Sequence, residues 1–205
     1  MRVRDGTIDA GIVTEVVTWD VYRLRAMGLP AGPAIVDVGA HIGIFATFAR
    51  SIVPDARIAC YELDEENAAL LFENVAGLGI HAERVAIIGD KAPTGYSRNQ
   101  RNTGGHHLNW GGGLPLPRVL TLEAAMDERE LGVVDFLKLD CEGAEHEILR
   151  CAARTGALAR VQRIGAEYHN FFGERGEALV ELLREAGFNV ETLVSNDLCG
   201  MLHAA

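Results

Sequence analysis

A glycine turn that joins an apolar strand to an apolar helix is the feature that most constrains the fold. Residues 34–50 read AIVDVGAHIGIFATFAR, so a run of β-branched residues ends around the acid Asp37 and leads into Gly39 and Gly43. An apolar segment of helical length follows at once. Such a turn is typical of the first unit of an open α/β sheet, where ligands bind beyond the carboxyl ends of the strands.

Strand-like and helix-like patterns alternate through most of the chain. The predicted strands are residues 34–38, 57–63, 81–87, 133–140, 161–168, 188–194 and a short last one at 199–203. One helix is predicted to begin at the N-cap Asp64, and another spans about 174–186 before Gly187. The alternation implies right-handed crossovers and helices on both faces of a mainly parallel sheet, which is a doubly wound α/β fold.

Two segments fall outside this alternation. Residues 1–30 form a predicted N-terminal helical segment, with apolar side chains at roughly helical spacing over 7–29. Residues 89–118 are rich in glycine and proline and show no sustained period. Because a loop of this length in a domain is usually functional or partly disordered, we expect it to form a lid over the acceptor site.

Composition narrows the class of protein. With 205 residues, of which 48% are hydrophobic, residues 1–205 are expected to form one domain with one sizeable core. A formal net charge of -10 without a dense Lys/Arg block argues against a nucleic-acid partner. The sequence has no apolar leader and no run of about 18 apolar residues, so no membrane association is expected. Four cysteines without C-x-x-C spacing favour a reducing cytoplasm, and the oligomeric state is left open.

The glycine turn and the end of the second strand predict a nucleoside site. Gly39 lets the backbone turn sharply and approach a ligand, and Gly43 allows close packing where the next helix starts. Glu62 ends the second strand, at the place where a carboxylate reaches the two hydroxyls of an adenosine ribose. A carboxylate there and a glycine turn beside it predict a bound nucleoside.

The spacing of the turn favours S-adenosylmethionine over a dinucleotide. A dinucleotide site uses G-x-G-x-x-G, whereas the spacing here is G-x-x-x-G, and Asp37 would repel a pyrophosphate. The alternatives are an NAD(P)-dependent oxidoreductase, favoured by the turn and Glu62, and a non-catalytic nucleoside-binding protein. The predicted cofactor contacts are Asp37, Gly39, Ala40, His41, Gly43, Glu62 and Asp140.

The chain resembles the FkbM-type family of S-adenosylmethionine-dependent methyltransferases over nearly its whole length. The matching stretches are RVRDGTIDAGIVTEVVTWDVYRL, VDVGAHIGIFATFA, YELDEENAALLFENV, AEYHN and, most specifically, DFLKLDCEGAEHEIL. Departures are His41 where Asn is common, Leu63 where Pro is usual, and the GGHHLNW loop, which has no counterpart that we can align.

This resemblance implies a class I methyltransferase. It implies a Rossmann-like sheet of seven strands in the order 3-2-1-4-5-7-6, with the last strand antiparallel. The implied activity is O-methylation of a small-molecule hydroxyl, such as that of a sugar or natural product, in natural product biosynthesis.

Candidate catalytic groups lie where the fourth and fifth predicted strands end. Asp140 and Glu142 follow the apolar FLKL run, while Glu167 and His169 end the fifth strand. Methyl transfer needs the acceptor oxygen in line with the S–CH₃ bond, and a base to take the hydroxyl proton. We expect Asp140 in the active site, Glu142 in contact with cofactor or acceptor, and His169 as an orienting group or base. His146, one turn into the next helix, is expected to be a packing or solvated residue.

Two further expectations concern this strand-end region. Asp140, Glu167 and His169 could together hold a divalent metal such as Mg²⁺, although the family resembled is not defined by a metal and we do not favour one. In the lid, Tyr96 or Trp110 is expected to supply an apolar wall. One of the neighbouring loop histidines, His106 and His107, is expected to supply a polar contact.

Overall fold

The computed structural model describes residues 1–99, 102–171 and 173–205, and within them ten strands form an eight-stranded sheet and a separate two-stranded hairpin. In chain order the strands are β1 (Ala34–Val38), β2 (Arg57–Glu62), β3 (His81–Ile88), β4 (Gly95–Ser97), β5 (His107–Asn109), β6 (Arg118–Thr121), β7 (Phe136–Leu139), β8 (Ile164–His169), β9 (Val190–Ser195) and β10 (Cys199–Ala204). The hairpin consists of β4 and β5.

The sheet has the order β6-β3-β2-β1-β7-β8-β10-β9. β1 pairs in parallel with β2 on one side and with β7 on the other, while β10 is antiparallel to both β8 and β9. The predicted order of seven strands with an antiparallel last strand is therefore confirmed. β6, which pairs in parallel with β3, adds an eighth strand at the edge. Its four residues directly follow Pro117, at the end of the glycine-rich segment, which is why no strand was predicted there.

Helices cover both faces of the sheet. They are α1 (Asp9–Val13), a π-helical turn (Thr14–Thr18), a 3₁₀ turn (Leu24–Ala26), α2 (Ile44–Ile52), α3 (Glu65–Val75), α4 (Leu122–Glu128), α5 (Glu145–Thr155), a second 3₁₀ turn (Ala157–Arg160) and α6 (Gly176–Glu185). Alternate residues of β1 belong to different cores. Ile35 packs with Phe45 of α2 and Leu71 of α3, whereas Val36 packs in the cluster that includes Ile148 of α5.

The N-terminal segment is not the single helix predicted over 7–29. The chain turns at Asp20 (φ 51) and Arg23 (φ 54), in the left-handed region. The Asp20 carboxylate accepts hydrogen bonds from the backbone N–H groups of Leu24 (2.9 Å) and Arg25 (3.0 Å), and this local cap competes with a continuous helix. Apolar residues of the predicted stripe pack inside the protein nevertheless, because Val16 and Leu24 are buried.

The glycine-rich segment is more regular than the loop predicted over 89–118, because it contains the β4–β5 hairpin and ends at β6. Tyr96 is buried, and its hydroxyl donates to Oδ2 of Asp64 at 3.2 Å. Arg98 donates to the same oxygen from Nε at 2.7 Å. The hairpin is thus tied to the N-cap of α3. No helix among the described residues combines the length and the apolar character needed to cross a lipid bilayer.

Candidate active site

One cavity lies at the carboxyl ends of β1, β2, β7 and β8. Its floor includes Gly39, Glu62, Asp140 and Glu167, which follow or end these strands. The N-terminal segment contributes Ile8, Ile12, Glu15 and Tyr22 to its wall, and the hairpin segment contributes Asn102, Gly104, His106 and Leu108. The cavity therefore occupies the position at which open α/β sheets bind their ligands.

The two glycines of the turn serve different contacts. Gly39 has φ +74, and a Cβ atom on it would lie 1.8 Å from the carbonyl oxygen of Asp140. The missing side chain therefore lets β1 approach the end of β7. The packing of the sheet itself thus requires a glycine here, in addition to the predicted approach of a ligand. Gly43 has φ +85, and a Cβ atom there would lie 2.8 Å from Cδ1 of Leu71, which confirms close packing at the start of α2.

Asp37 lies beneath the turn and is fully buried. Its Oδ1 is 3.2 Å from Nζ of Lys138, which also donates to the carbonyl oxygens of Gly39 (2.6 Å) and Val38 (3.3 Å). Burial raises the pKa of Asp37 against the opposing effect of Lys138. Burial alone would lower the pKa of Lys138, but Asp37 and Asp140 raise it. Asp37 is absent from the described cavity lining, so its place is structural support of the turn.

Glu62 faces the cavity from the end of β2 and is buried. Its Oε2 accepts a hydrogen bond from the backbone N–H of His41, and its Oε1 accepts one from that of Asp64, both at 2.8 Å. Burial raises the pKa of Glu62 to about 7, although these hydrogen bonds act in the opposite direction. Each oxygen keeps capacity for a second donor, as a ribose acceptor requires.

His41 joins the cofactor turn to the N-terminal segment and the hairpin. It has φ 52, and its Nε2 lies 3.0 Å from Nη2 of Arg4 and 3.2 Å from Oγ1 of Thr103. Asp9, fully buried, accepts from Arg4 Nε (3.0 Å) and from Thr103 Oγ1 (2.8 Å). Burial lowers the pKa of His41 to about 4, which leaves the ring neutral at physiological pH. Of these residues only His41 was predicted from the sequence, because Arg4, Asp9 and Thr103 lie far from it along the chain.

Asp140 is held by a residue that the sequence did not reveal. The hydroxyl of Tyr22 donates to its Oδ2 at 2.8 Å, and Nζ of Lys138 lies 4.0 Å from the same oxygen. Tyr22 is buried, whereas the Asp140 side chain keeps 28% exposure and lines the cavity. The only local signal for Lys138 was a charged residue inside the apolar run FLKL.

His169 lies among the carboxylates of Glu142, Glu145 and Glu167. We call these four residues, together with Asp140, the strand-end cluster. Nε2 of His169 is 3.5 Å from Glu142 and 3.9 Å from Glu167, and its Nδ1 is 3.4 Å from Glu145. Burial alone would lower the pKa of His169, but contact with Glu145 and the charges of Asp140 and Glu142 raise it to about 10. The imidazole therefore carries a proton at neutral pH, which does not suit the predicted alternative of a base.

Glu142 and Glu167 both line the cavity with raised pKa values. Burial, with Asp140 and the neighbouring glutamates, raises the pKa of Glu142 to about 7 against the effect of His169. Burial and Asp140 raise the pKa of Glu167 to about 7 in the same way. A carboxylate with a pKa near neutrality is suited to accept a proton at physiological pH.

One group of potential metal ligands lies in this cluster among the described residues. Asp140, Glu145 and His169 offer atoms that all lie within 4.8 Å of one another. The predicted set had Glu167 in place of Glu145. Both oxygens of Glu145 already accept backbone N–H groups, from Cys141 at 2.6 Å and Gly143 at 2.9 Å. These bonds hold the loop that carries Glu142, so Glu145 has a structural task without a metal.

The structure distinguishes the aromatic and histidine candidates of the lid. His106 lines the cavity, and its Nδ1 accepts from the backbone N–H of Asn99 at 3.1 Å. His107, Tyr96 and Trp110 are absent from the described lining, where Leu108 supplies the apolar contact. The expected apolar wall therefore comes from a different residue of the same hairpin.

Two other polar residues, one on α5 and one directly after β8, lie outside the cavity lining of the described chain. His146 is buried, with Nε2 3.2 Å from the carbonyl oxygen of His169, which confirms a packing role. Asn170 accepts the backbone N–H of Gly176 at 2.8 Å and so positions the start of α6.

A model of the methyltransferase FkbM domain matches residues 37–190 of this chain. The AMB antimetabolite synthetase AmbE of Pseudomonas aeruginosa is 26% identical over 227 aligned residues, which cover 87% of this chain and 10% of that protein. This chain thus spans about a tenth of the length of that relative.

Two solved methyltransferases share the fold. Precorrin-6y C5,15-methyltransferase of Geobacter metallireducens has a TM-score of 0.57 at 12% identity, covering 100% of this chain and 92% of that one. Magnesium protoporphyrin IX methyltransferase of Synechocystis, solved with bound S-adenosylmethionine, has a TM-score of 0.57 at 12% identity, covering 100% of this chain and 85% of its own. At such low identity the likeness extends to the fold and no further.

Proposed function

The chain belongs to the FkbM methyltransferase family, a family of S-adenosylmethionine-dependent enzymes, and from that premise we propose that it methylates a hydroxyl oxygen of a small molecule such as a sugar or natural product. One observation carries the proposal. The carboxylates of Asp140, Glu142 and Glu167 line the same cavity as the glycine turn and Glu62. Groups that can take a hydroxyl proton thus share a cavity with groups suited to a nucleoside.

The residues around the turn fit S-adenosylmethionine. Glu62 presents a buried carboxylate with spare acceptor capacity, suited to the ribose hydroxyls. Gly39, Ala40 and His41 line the cavity beside it and offer a turn without a bulky side chain at its apex. When bound, the cofactor supplies an electrophilic methyl group on a sulfonium. The alternative of a nicotinamide-dependent oxidoreductase is rejected by the family membership.

We assign Glu142 as the general base. The hydroxyl proton passes to its carboxylate as the new carbon–oxygen bond forms, and the electron pair of the broken S–CH₃ bond stays on sulfur. The pKa of about 7 keeps Glu142 largely ionised just above neutrality while it remains basic enough to accept the proton. Glu167 has a pKa raised to a similar value and is the second candidate for this role.

Asp140 and His169 receive supporting roles. Tyr22 occupies one oxygen of Asp140, so we assign the other oxygen to orienting the acceptor hydroxyl or the cofactor. His169 carries its proton and lies 3.5 Å from Glu142, so we assign it to orienting that carboxylate. Positioning of this kind contributes much of the rate of a transfer that requires an in-line approach.

The hairpin and the N-terminal segment are proposed to cover the acceptor. Both contribute to the cavity wall, and Thr103 connects them through Asp9. We propose a small acceptor without nucleic acid or membrane, in keeping with the net charge of -10. The free thiols of all four cysteines support a reducing, cytoplasmic location.

The test is methyl transfer to a library of hydroxyl compounds, with amine and thiol analogues as matched controls. Radiolabelled S-adenosylmethionine reports any transfer, and mass spectrometry locates the new methyl group. Methylation at oxygen, lost in Glu142→Gln, is the expected result. Transfer to nitrogen, carbon or sulfur in preference to oxygen would overturn the assignment. Methylation of structured RNA but of no small molecule would overturn the acceptor class.

A further inference from the structure

Two buried polar atoms of the cavity lining lack a hydrogen-bond partner in the described part of the chain. They are Nδ1 of His41 and Oδ1 of Asn67. Both residues line the cavity, with exposed fractions of 8% and 1%. Because buried polar atoms in folded proteins are nearly always paired, these two point to a ligand that pairs with them. Asn67 did not emerge from the sequence, where it is an ordinary first-turn residue of α3.

The contacts of Asn67 settle which of its atoms faces a ligand. Its Nδ2 donates to the backbone carbonyl oxygen of Thr103 at 2.8 Å. A carbonyl oxygen can only accept, so the carboxamide cannot be turned over without losing this bond. Oδ1 is therefore the remaining atom, and it requires a donor.

The contact with Arg4 assigns the tautomer of His41. Nε2 lies 3.0 Å from Nη2 of Arg4, a guanidinium nitrogen that can only donate. The Thr103 hydroxyl gives its proton to Asp9, so its longer approach of 3.2 Å to Nε2 supplies no second donor. With Nε2 accepting from Arg4, the single proton of the neutral ring sits on Nδ1. This assignment agrees with the pKa of His41, which burial lowers to about 4. Nδ1–H is consequently a donor that requires an acceptor.

The donor and the acceptor are held by the same neighbour. Oγ1 of Thr103 lies 3.2 Å from Nε2 of His41, and its carbonyl oxygen binds Asn67. The backbone N–H of His41 also donates to Oε2 of Glu62 at 2.8 Å. His41, Asn67 and Glu62 thus surround one corner of the cavity, where the ribose of the cofactor is assigned.

We infer that Nδ1–H of His41 and Oδ1 of Asn67 together bind one hydroxyl of the cofactor ribose, beside Glu62. A hydroxyl accepts one hydrogen bond and donates another, which matches this pair. The amino group of adenine donates but accepts poorly, so it would satisfy Asn67 and leave His41 unpaired. The two residues thereby extend ribose recognition beyond the single acid predicted from the sequence.

Calorimetry with four ligands tests the inference without any acceptor. The ligands are S-adenosylhomocysteine, its 2′-deoxy and 3′-deoxy analogues, and S-inosylhomocysteine, which lacks the adenine amino group. Either deoxy analogue lacks a donor to Glu62, so the test compares the two analogues with each other. Wild type should bind the analogue that also lacks the partner of His41 and Asn67 about tenfold more weakly than the other analogue. Asn67→Ala should bind S-adenosylhomocysteine about threefold to tenfold more weakly than wild type, and should bind the two deoxy analogues with similar affinity. His41→Phe should likewise bind the two deoxy analogues with similar affinity.

Asn74→Ala is the matched control. Asn74 lies on the same helix and donates to the carbonyl oxygens of Arg2 (2.9 Å) and Ile42 (2.8 Å), outside the described cavity lining. This variant should keep the wild-type difference in affinity between the two deoxy analogues. The inference is overturned if wild type binds the two deoxy analogues equally, or if the Asn67 and His41 variants keep the wild-type difference between them. Lost discrimination confined to S-inosylhomocysteine would instead assign Asn67 to adenine.

Discussion

Replacing Lys138 with methionine is expected to destabilise the domain by about 3–5 kcal/mol, because it strips a buried carboxylate of its counter-ion. Asp37 is fully buried, and its Oδ1 lies 3.2 Å from the Lys138 ammonium. Methionine fills a similar volume but supplies no charge. It also removes the donors to the carbonyl oxygens of Gly39 and Val38.

The part of the loss that comes from Asp37 has an upper bound, because Asp37 can take up a proton in the variant. Protonation at pH 7 of a carboxyl with an ordinary pKa of 3.8 costs about 4 kcal/mol, at about 1.36 kcal/mol per pKa unit. Since the folded variant would then bind a proton that the unfolded chain releases, its stability falls as pH rises above 3.8. Because burial already raises the pKa of Asp37 in the wild type, only the further rise in the variant counts, and the deficit relative to wild type should be smaller at pH 5 than at pH 7.

Guanidinium unfolding at the two pH values measures this effect, and thermal unfolding should show a fall of roughly 6–20 °C. Arg2→Met is the matched control, because the Arg2–Glu73 pair is 2.8 Å long but exposed at 68% and 54%, and should cost at most about 1 kcal/mol. Adding Asp37→Leu to Lys138→Met should recover most of the stability. A single variant within about 1 kcal/mol of wild type, or a double variant no better than the single, would refute the reasoning.

Four other changes have expected outcomes. Glu62→Ala should weaken S-adenosylmethionine binding by about tenfold or more, measured by calorimetry. The affinity of the wild type for the cofactor should rise with pH through about 7, as Glu62 ionises, and this rise should vanish in the variant. Glu142→Gln should lower kcat by about 10²- to 10⁴-fold at nearly unchanged cofactor affinity. In the wild type, turnover should rise as pH increases through about 7, and the variant should lack this rise. A variant that keeps the pH profile would transfer the role of base to Glu167. Gly39→Ala should lose at least about 3 kcal/mol in chemical unfolding, because its Cβ would meet the carbonyl oxygen of Asp140 at a positive φ; wild-type stability would contradict this contact. EDTA should leave turnover unchanged, whereas loss of activity restored by Mg²⁺ would make the strand-end cluster a metal site.

Local sequence patterns predicted most of the sheet because burial on both faces imposes continuous apolar runs on its strands. The same patterns could not predict the N-terminal segment, where the Asp20 side chain caps Leu24 and Arg25 and interrupts the apolar stripe. They also missed β6, since a four-residue edge strand after proline carries little periodicity. The glycine-rich composition predicted a loop where the structure has the β4–β5 hairpin. In this hairpin the buried Tyr96 donates a hydrogen bond to Asp64.

The candidate site was predictable where a role follows from a position at a strand end. Glu62, Asp140, Glu142 and Glu167 reach the cavity for that reason. Contacts between distant segments were out of reach, because spacing says nothing about partners on other elements. Tyr22 on Asp140 is such a contact.

The segments that wall the cavity stand outside the sheet that forms its floor. Neither the N-terminal segment nor the β4–β5 hairpin adds a strand to the eight-stranded sheet of the described chain, yet Ile12 and Leu108 both reach the cavity. The same two segments also hold residues on the cofactor side of the cavity, because Thr103 contacts His41 and Asn67 while Tyr22 binds Asp140. We therefore expect an exchange of these segments between relatives to alter cofactor affinity together with the acceptor. Grafting both segments together, so that Asp9 and Thr103 remain matched, is the exchange that the architecture permits.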